Sequence, residues 1–179
     1  MEATDGPASF QLMWDAFPDH VQYPTLRDLH TFIGGQLAKN IDVPGFGPKG
    51  NTCAVRVSRA LNCGAMPLSY KTTKALELNP LLGGDKKLYL FRVREMKIYL
   101  AHALGVTPVL VKKDFANAFA GRRGIVSFDI QGWSDASGHV ALWDGSSFRE
   151  PAFDDYRGLQ DNPATAKVEA VTAMRLWPL

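Results

Sequence analysis

One of the two cysteines in this 179-residue chain lies where a reactive thiol would be useful. The loop "VPGFGPKGN" (43–51) leads to Cys53, which opens a predicted helix over residues 53–62. Free backbone N–H groups at a helix N-terminus favour an anion, and they can hold the oxyanion of an acyl-transfer reaction. Cysteines at such positions form thiolates near neutral pH. Cys53 is therefore a candidate nucleophile, and the alternative is a small buried hydrophobe, because free cysteine is among the most buried residue types.

The second cysteine, Cys63, lies ten residues further on. An intact helix would carry it about 15 Å along the axis, whereas the Cα atoms of a disulfide lie within about 7 Å of each other. We therefore expect no bridge between the two, with Cys63 as a packing residue and Cys53 as a free thiol.

A thiolate nucleophile needs a base within hydrogen-bond reach. Three of the four histidines lie in or beside predicted helices, where a solvated or hydrogen-bonded ring is the simplest account: His20, His30 and His102. His139 differs because it begins a predicted strand directly after "SDASG". Strand alternation puts it on one face with Ala141 and Trp143. Cys53 lies 86 residues earlier, so the two residues can meet only through the fold.

Two acids could orient the imidazole of His139. The segment "DGSS" (144–147) is typical of a hairpin turn, so a strand over 148–150 is expected to pair with 139–143. Glu150 would then face His139 across the pair, and it is the preferred third residue. Asp144 lies in the turn, where it could simply be a turn former, and it is the reserve candidate.

The elements that would position these residues change character along the chain. Apolar periodicity predicts helices first and strands afterwards. The helices are expected over 8–17, 25–41 with Thr25 as N-cap, 53–62, 94–105 and, briefly, 114–121. The strands are expected over 87–93, 108–112, 124–130, 138–145 and 168–177. This order predicts an α+β fold, and the length favours a single domain over residues 1–179.

Composition excludes several classes of function. Hydrophobic residues make up 46% and charged residues 21%, as in ordinary globular proteins, and a net charge of +2 is too small to indicate nucleic-acid binding. The sequence contains no apolar run long enough for membrane insertion. It also lacks zinc-site spacings and phosphate-binding glycine loops, so neither a metal nor a cofactor is expected. The first residues, "MEATDGPASF", lack the features of a secretory signal peptide, and we expect synthesis in the cytoplasm.

Three segments occur in an order that resembles a known family. "GNTCAVRVSRALN", "KLYLFRVREMKIYLAHALG" and "GRRGIVSFDIQGWSDASGHVALWDG" are similar to the family 4 amidase effectors of bacterial type VI secretion systems, and the likeness spans about residues 8–177. The resemblance implies a papain-like fold of the NlpC/P60 type, with the nucleophile helix packed on an antiparallel sheet. It also implies a peptidoglycan amidase that cuts the γ-D-glutamyl–meso-diaminopimelate bond in the periplasm of target cells. A cognate immunity protein would protect the producer.

Carried over by position, the resemblance makes Cys53 the nucleophile and His139 the general base. The family's third residue is an aspartate on the strand after the histidine strand, and its position falls on Glu150, which is one methylene longer. The family's cysteine pair near that strand is absent, so the loop over 151–160 is expected to differ. Substrate contacts are expected where the chain leads into the two catalytic residues, at Asn51, Trp133, Ser134 and Asp135.

Three alternatives remain at this level. The same cysteine–histidine pair would serve a protein deamidase or a transglutaminase. A housekeeping wall hydrolase of the same fold would need a signal peptide. A non-catalytic cell-wall binding module would instead bury Cys53 as a packing residue and use His139 only to end a strand.

Overall fold

The computed structural model describes residues 6–47, 50–64, 66–133, 138–159 and 169–179. Helices dominate the first half and antiparallel strands the second, so the predicted α+β class is confirmed. The chain forms two compact units, Met1–Tyr99 and Leu100–Leu179. Among the described residues, no helix combines the length and the apolar character needed to cross a bilayer.

The first unit consists of short helices and one two-stranded antiparallel sheet. Its helices are α1 (Gly6–Asp15), α2 (Leu26–Ile33), α3 (Gly35–Lys39), α4 (Cys53–Cys63) and α5 (Tyr70–Ala75), and α6 (Val93–Ala103) begins in this unit. The sheet pairs β1 (Leu81–Leu82) with β2 (Leu88–Tyr89), which is shorter than the strand predicted over 87–93.

Local sequence explains where α2 begins and ends. The Thr25 side chain accepts from the backbone N–H of Asp28, and the Asp28 side chain accepts from the backbone N–H of Thr25, so the predicted N-cap is part of a full capping box. The helix predicted over 25–41 breaks at Gly34 and Gly35, whose φ angles are 75° and 63°. A Cβ at Gly35 would lie 2.5 Å from the carbonyl oxygen of Leu82, so this break makes room for the sheet.

Helix α4 is the buried centre of the first unit. Ala54, Val57 and Leu61, which the predicted helical spacing puts on one face, are buried. Polar side chains on the same helix fasten β2: Ser58 Oγ bonds both backbone groups of Leu90, and Asn62 Nδ2 donates to the carbonyl oxygen of Leu88 at 2.8 Å. The helix that begins at Cys53 is therefore fixed along its length.

The second unit contains a four-stranded antiparallel sheet in the order β3-β6-β4-β5. Its strands are β3 (Val109–Val111), β4 (Gly124–Gln131), β5 (Gly138–Trp143) and β6 (Ala170–Pro178), and a 3-10 turn (Phe115–Asn117) stands where a short helix was predicted. His139 lies opposite Phe128 in the register of β4 and β5. One face of the sheet forms a core that includes Phe128, Ala141 and Trp143, so the predicted alternation along β5 is confirmed.

The segment after β5 departs from the predicted hairpin. The turn over 144–147 is present, but the strand expected over 148–150 is reduced to a single bridge between Trp143 and Phe148. Glu150 is instead the N-cap of a short helix, α7 (Pro151–Asp154), with Pro151 as its first residue. Proline suits the first turn of a helix and cannot donate to a strand ladder, which accounts for the change.

Candidate active site

Cys53 lies at the first position of α4 and is buried. Its backbone N–H donates to the side-chain Oδ1 of Asn51 at 2.9 Å. The N-cap residue Thr52 uses its hydroxyl differently, accepting from Nε of Arg56 at 3.0 Å. Cys53 and Cys63 are both free thiols, as predicted.

Arg56, one turn beyond Cys53, is a buried cation. Its guanidinium also donates to the carbonyl oxygens of Pro18 and Tyr23. These bonds hold the start of α4 against the segment that precedes α2. The hydroxyl of Thr52, directly before Cys53, is therefore part of the hydrogen-bond network that Arg56 forms.

His139 is buried at the start of β5, where Nε2 lies 2.8 Å from Oδ1 of Asp154. A carboxylate can only accept, so Nε2 carries the donated proton. Nδ1 is thereby left as the nitrogen that can take up a proton, which is the task of a general base. This hydrogen bond fixes both the tautomer and the plane of the ring.

Asp154 is 2% exposed, and its two carboxylate oxygens have separate tasks. Oδ1 accepts from His139, and Oδ2 accepts from the backbone N–H of Glu150 at 3.2 Å. The carboxylate is therefore oriented by α7 itself. A buried acid beside an imidazole stabilises the imidazolium form and holds the ring in position.

Glu150 and Asp144, the two acids considered from the sequence, occupy other positions. Glu150 is buried at the start of α7 and not on a strand across from His139, because Pro151 begins a helix there. Asp144 is exposed and accepts hydrogen bonds from Ser146 and Ser147. Slight desolvation acts to raise the pKa of Asp144, but the bonds from Ser147 and Ser146 outweigh it and lower that pKa. Asp144 is thus a turn former.

The residues expected to contact substrate are divided by the structure. Asn51 lies beside Cys53. Trp133 is half-buried just after β4, and its ring is perpendicular to that of Tyr156 at 5.2 Å. Ser134 and Asp135 lie outside the described residues.

Sequence reasoning missed Asp154, although a signal for it was available. Proline is typical of the first position of a helix, so Pro151 in "REPAFDD" indicates a helix start directly after Glu150. That interpretation would have placed Asp154 in the first turn of the helix. The expected hairpin concealed this signal, because it assigned residues 148–150 to a strand.

Of the three remaining histidines, His102 is exposed on α6 and His20 is partly buried before α2, whereas His30 is unusual. His30 is buried, and neither ring nitrogen has a hydrogen-bond partner among the described residues. Desolvation, and after it the charge of Arg56, lowers the pKa of His30 to about 4. His30 therefore stays neutral at physiological pH. Within the ranges that the structure describes, no cluster of His, Cys, Asp and Glu could hold a metal ion.

A thiol at a helix N-terminus and a histidine oriented by a buried carboxylate are the components that cysteine hydrolases use. A family model for the type VI secretion system (T6SS) amidase effector protein 4, Tae4, matches residues 50–177, and the chain belongs to this family. It is thus an enzyme, an amidase, of a family that type VI secretion delivers into target cells. This result excludes the non-catalytic binding module.

Solved structures of the family are similar over nearly the whole chain. Tae4 from Salmonella typhimurium in complex with the immunity protein Tai4 from Enterobacter cloacae is 30% identical, with a TM-score of 0.74, covering 96% of this chain and 99% of that chain. The Salmonella Typhimurium Tae4–Tai4 complex gives 30% identity, a TM-score of 0.74 and coverages of 96% and 98%. Tae4 from Enterobacter cloacae gives 30% identity, a TM-score of 0.68 and coverages of 95% and 95%. No curated protein sequence matches the chain.

Proposed function

We propose that this chain is a cysteine amidase that hydrolyses the γ-D-glutamyl–meso-diaminopimelate bond of peptidoglycan peptides, with Cys53 as nucleophile and His139 as general base. The observation that carries the proposal is the family match over residues 50–177, which includes both residues. The bond is the one implied by the resemblance of the Cys53 and His139 segments to the family. The buried bond between His139 and Asp154 supports the assignment of the base.

In the first half of the reaction, the Cys53 thiol gives its proton to Nδ1 of His139. The Cys53 sulfur attacks the amide carbonyl carbon, and the C–N bond breaks as the imidazolium protonates the leaving amine. In the second half, Nδ1 takes a proton from water, whose oxygen attacks the thioester. The carbon–sulfur bond breaks, the D-glutamyl carboxylate is released, and the thiol is restored.

Asp154 is the third catalytic residue of this proposal. Its carboxylate keeps the proton on Nε2 of His139. In this proposal, Nδ1 is therefore the nitrogen that accepts the proton of Cys53. Glu150 serves Asp154 indirectly, because the Glu150 backbone N–H binds the second carboxylate oxygen. The role first expected of the Glu150 side chain therefore passes to a residue one helical turn further along.

The oxyanion needs donors close to the nucleophile. The backbone N–H of Cys53 is the natural one at a helix N-terminus, and it is bonded to Asn51 Oδ1. The tetrahedral oxygen would therefore replace the Asn51 oxygen at this N–H, or take donors next to it. Asn51, together with Trp133 and the 134–135 segment, forms our proposed set of substrate contacts.

The same proposal covers where the enzyme acts and what restrains it. Peptidoglycan of a Gram-negative target lies in the periplasm, so a delivered amidase would act there. Two of the related Tae4 structures contain the immunity protein Tai4. We therefore expect this chain to bind a cognate immunity protein that blocks it in the producing cell.

Digestion of purified Gram-negative peptidoglycan tests the function, with products identified by mass spectrometry. Wild type is expected to release fragments cut between D-glutamate and diaminopimelate, and Cys53→Ala to release none. Cys63→Ala is the matched control, because it removes the other free thiol. Peptidoglycan that stays intact after incubation with folded wild-type protein would contradict the proposal, and deamidation or cross-linking of a protein substrate would favour the alternative enzyme class.

A further inference from the structure

An aromatic residue that lies two residues beyond Asp154, Tyr156, packs near the imidazole of His139. The Tyr156 ring centroid is 4.8 Å from that of the imidazole, with the planes tilted by 56°. Phe128, on the neighbouring strand, is further away at 6.4 Å. Tyr156 is half-buried, whereas His139 is 6% exposed, and the tyrosine ring packs on the imidazole.

Tyr156 is itself held between other rings. Trp133 meets it at 5.2 Å with an interplanar angle of 79°, and Phe128 meets it at 5.8 Å with an angle of 71°. Both are edge-to-face contacts, which are favourable geometries for aromatic pairs. Tyr156 is therefore the central ring of a cluster that ends on His139.

The backbone on either side of Tyr156 is fastened by Arg157. Its guanidinium donates to both carboxylate oxygens of Asp155, at 2.8 and 2.6 Å, and to the carbonyl oxygen of Ala116 at 2.8 Å. The same group lies over the rings of Trp143 and Phe148, at 5.1 and 5.5 Å from their centroids. A bidentate and stacked arginine is a rigid anchor. The short segment after α7 is thus built to hold Tyr156 in one place.

We propose that Tyr156 is a positioning residue for the reaction, holding the His139 imidazole against Asp154 and stabilising its protonated form. A ring packed on the imidazole limits rotation about the Cα–Cβ and Cβ–Cγ bonds, and an aromatic π-system attracts a cation within about 6 Å. The inference rests on the proposed function, in which His139 is protonated after it takes the Cys53 proton. The neutral ring of Tyr156 would thus stabilise the imidazolium of His139 in addition to the charged carboxylate of Asp154.

The contacts that surround the His139 imidazole include groups from three segments of its unit. Asp154 faces it from α7, Tyr156 from the segment after α7, and Phe128 from β4. Asp129 alternates to the other face of β4, where it pairs with Arg175. Removing the Tyr156 ring therefore changes the surroundings of the imidazole without changing a nearby charge.

The test compares Tyr156→Leu and Tyr156→Met with Tyr156→Phe. We expect the two aliphatic variants to lower kcat about tenfold with KM within threefold of wild type. The acidic limb of kcat/KM, which reports the pKa of the base in the free enzyme, should move to lower pH by about 0.5 to 1 unit, because the imidazolium has lost its π-partner. Tyr156→Phe keeps the ring and should stay within threefold of wild type with an unmoved limb. Tyr70→Leu, an exposed tyrosine of the first unit, is the matched control and should change neither.

An NMR titration of His139 in the Cys53→Ala background separates this inference from the proposed function, because it needs no activity. There, too, Tyr156→Leu or Tyr156→Met should lower the titration midpoint of the ring and Tyr156→Phe should not. An unmoved midpoint in the aliphatic variants, or a lower melting temperature without any change of the pH profile, would overturn the inference. So would a KM-only effect, which would make Tyr156 a substrate contact, or a Phe variant as impaired as the Leu variant.

Discussion

The two units of the chain hold their candidate catalytic residues in different ways. Cys53 is positioned by residues close to it in the sequence. Its backbone N–H donates to Asn51, two residues earlier, and the helix that begins at Cys53 is fixed by its own buried side chains. His139 is held from a distance along the chain, because Asp154 lies 15 residues later. Between them the chain makes a turn and begins another helix.

The comparison extends to two buried histidines. His139 is paired with a buried carboxylate, whereas His30 of the first unit has no hydrogen-bond partner among the described residues, and desolvation and the charge of Arg56 lower its pKa. A carboxylate favours a charged imidazole and an arginine disfavours it. His30 in the first unit therefore stays neutral, and the carboxylate beside His139 in the second unit suits the general-base role that we propose for it.

The largest effect should come from removing the carboxylate that supports His139. Asp154→Asn is expected to lower kcat by roughly 10²- to 10⁴-fold, because an amide in place of the carboxylate no longer enforces the tautomer and no longer balances the imidazolium charge. Glu150→Gln, which keeps the backbone N–H that binds Asp154, should lose less than tenfold. Steady-state kinetics on a soluble muropeptide would check both.

The reverse order of these two variants would return the third catalytic role to Glu150. Asp144→Asn is the matched control in the adjacent turn. It should leave kcat within about threefold of wild type, because the Asp144 carboxylate binds only its own turn in the structure.

A smaller effect, on stability, should come from His30. Its pKa of about 4 in the fold lies below the ordinary value of 6.5, so the unfolded chain binds a proton first as the pH falls. Stability from the neutral ring is complete above about pH 6.5 and is lost progressively toward pH 4. Between pH 7.5 and 4.5 wild type should lose about 2 kcal/mol more than His30→Phe.

Urea unfolding at the two pH values measures that difference. His102→Phe is the matched control, since this exposed ring on α6 should leave the pH dependence of wild type unchanged. An equal loss in wild type and His30→Phe would show that His30 is hydrated or partnered in solution.

The smallest effect should come from the local support of Cys53. Asn51→Ala removes the acceptor of the Cys53 N–H and should cost about 1 kcal/mol of unfolding free energy, as for other caps at helix N-termini. Asn51→Asp keeps an acceptor and should restore most of that stability. Chemical denaturation of the three proteins is the measurement, and a loss well above 2 kcal/mol would mean that Asn51 supports more than one N–H.

Features that depend on residues close together in the sequence could be predicted, and features that depend on distant residues could not. The N-cap at Thr25, the helix that begins at Cys53 and the alternation along β5 were all predicted, because each depends on residues a few positions apart. The strand over 148–150 was wrong, because the preference of Pro151 for a helix start outweighed the hairpin signal. The partner of His139 then moved from Glu150 to Asp154.

The sequence by itself determined the α+β class and the family, and it indicated Cys53 and His139 as the candidate nucleophile and base. It could do so because spacing, caps and motifs are local properties of a chain. Only the tertiary structure decided which acid binds His139, that Asn51 binds the Cys53 N–H, and that Tyr156 packs on the imidazole. The physical reason is that a hydrogen bond of 2.8 Å requires a precise approach of two side chains. That approach is set by where a strand ends and the next helix begins, and a shift of one turn exchanges one carboxylate for another.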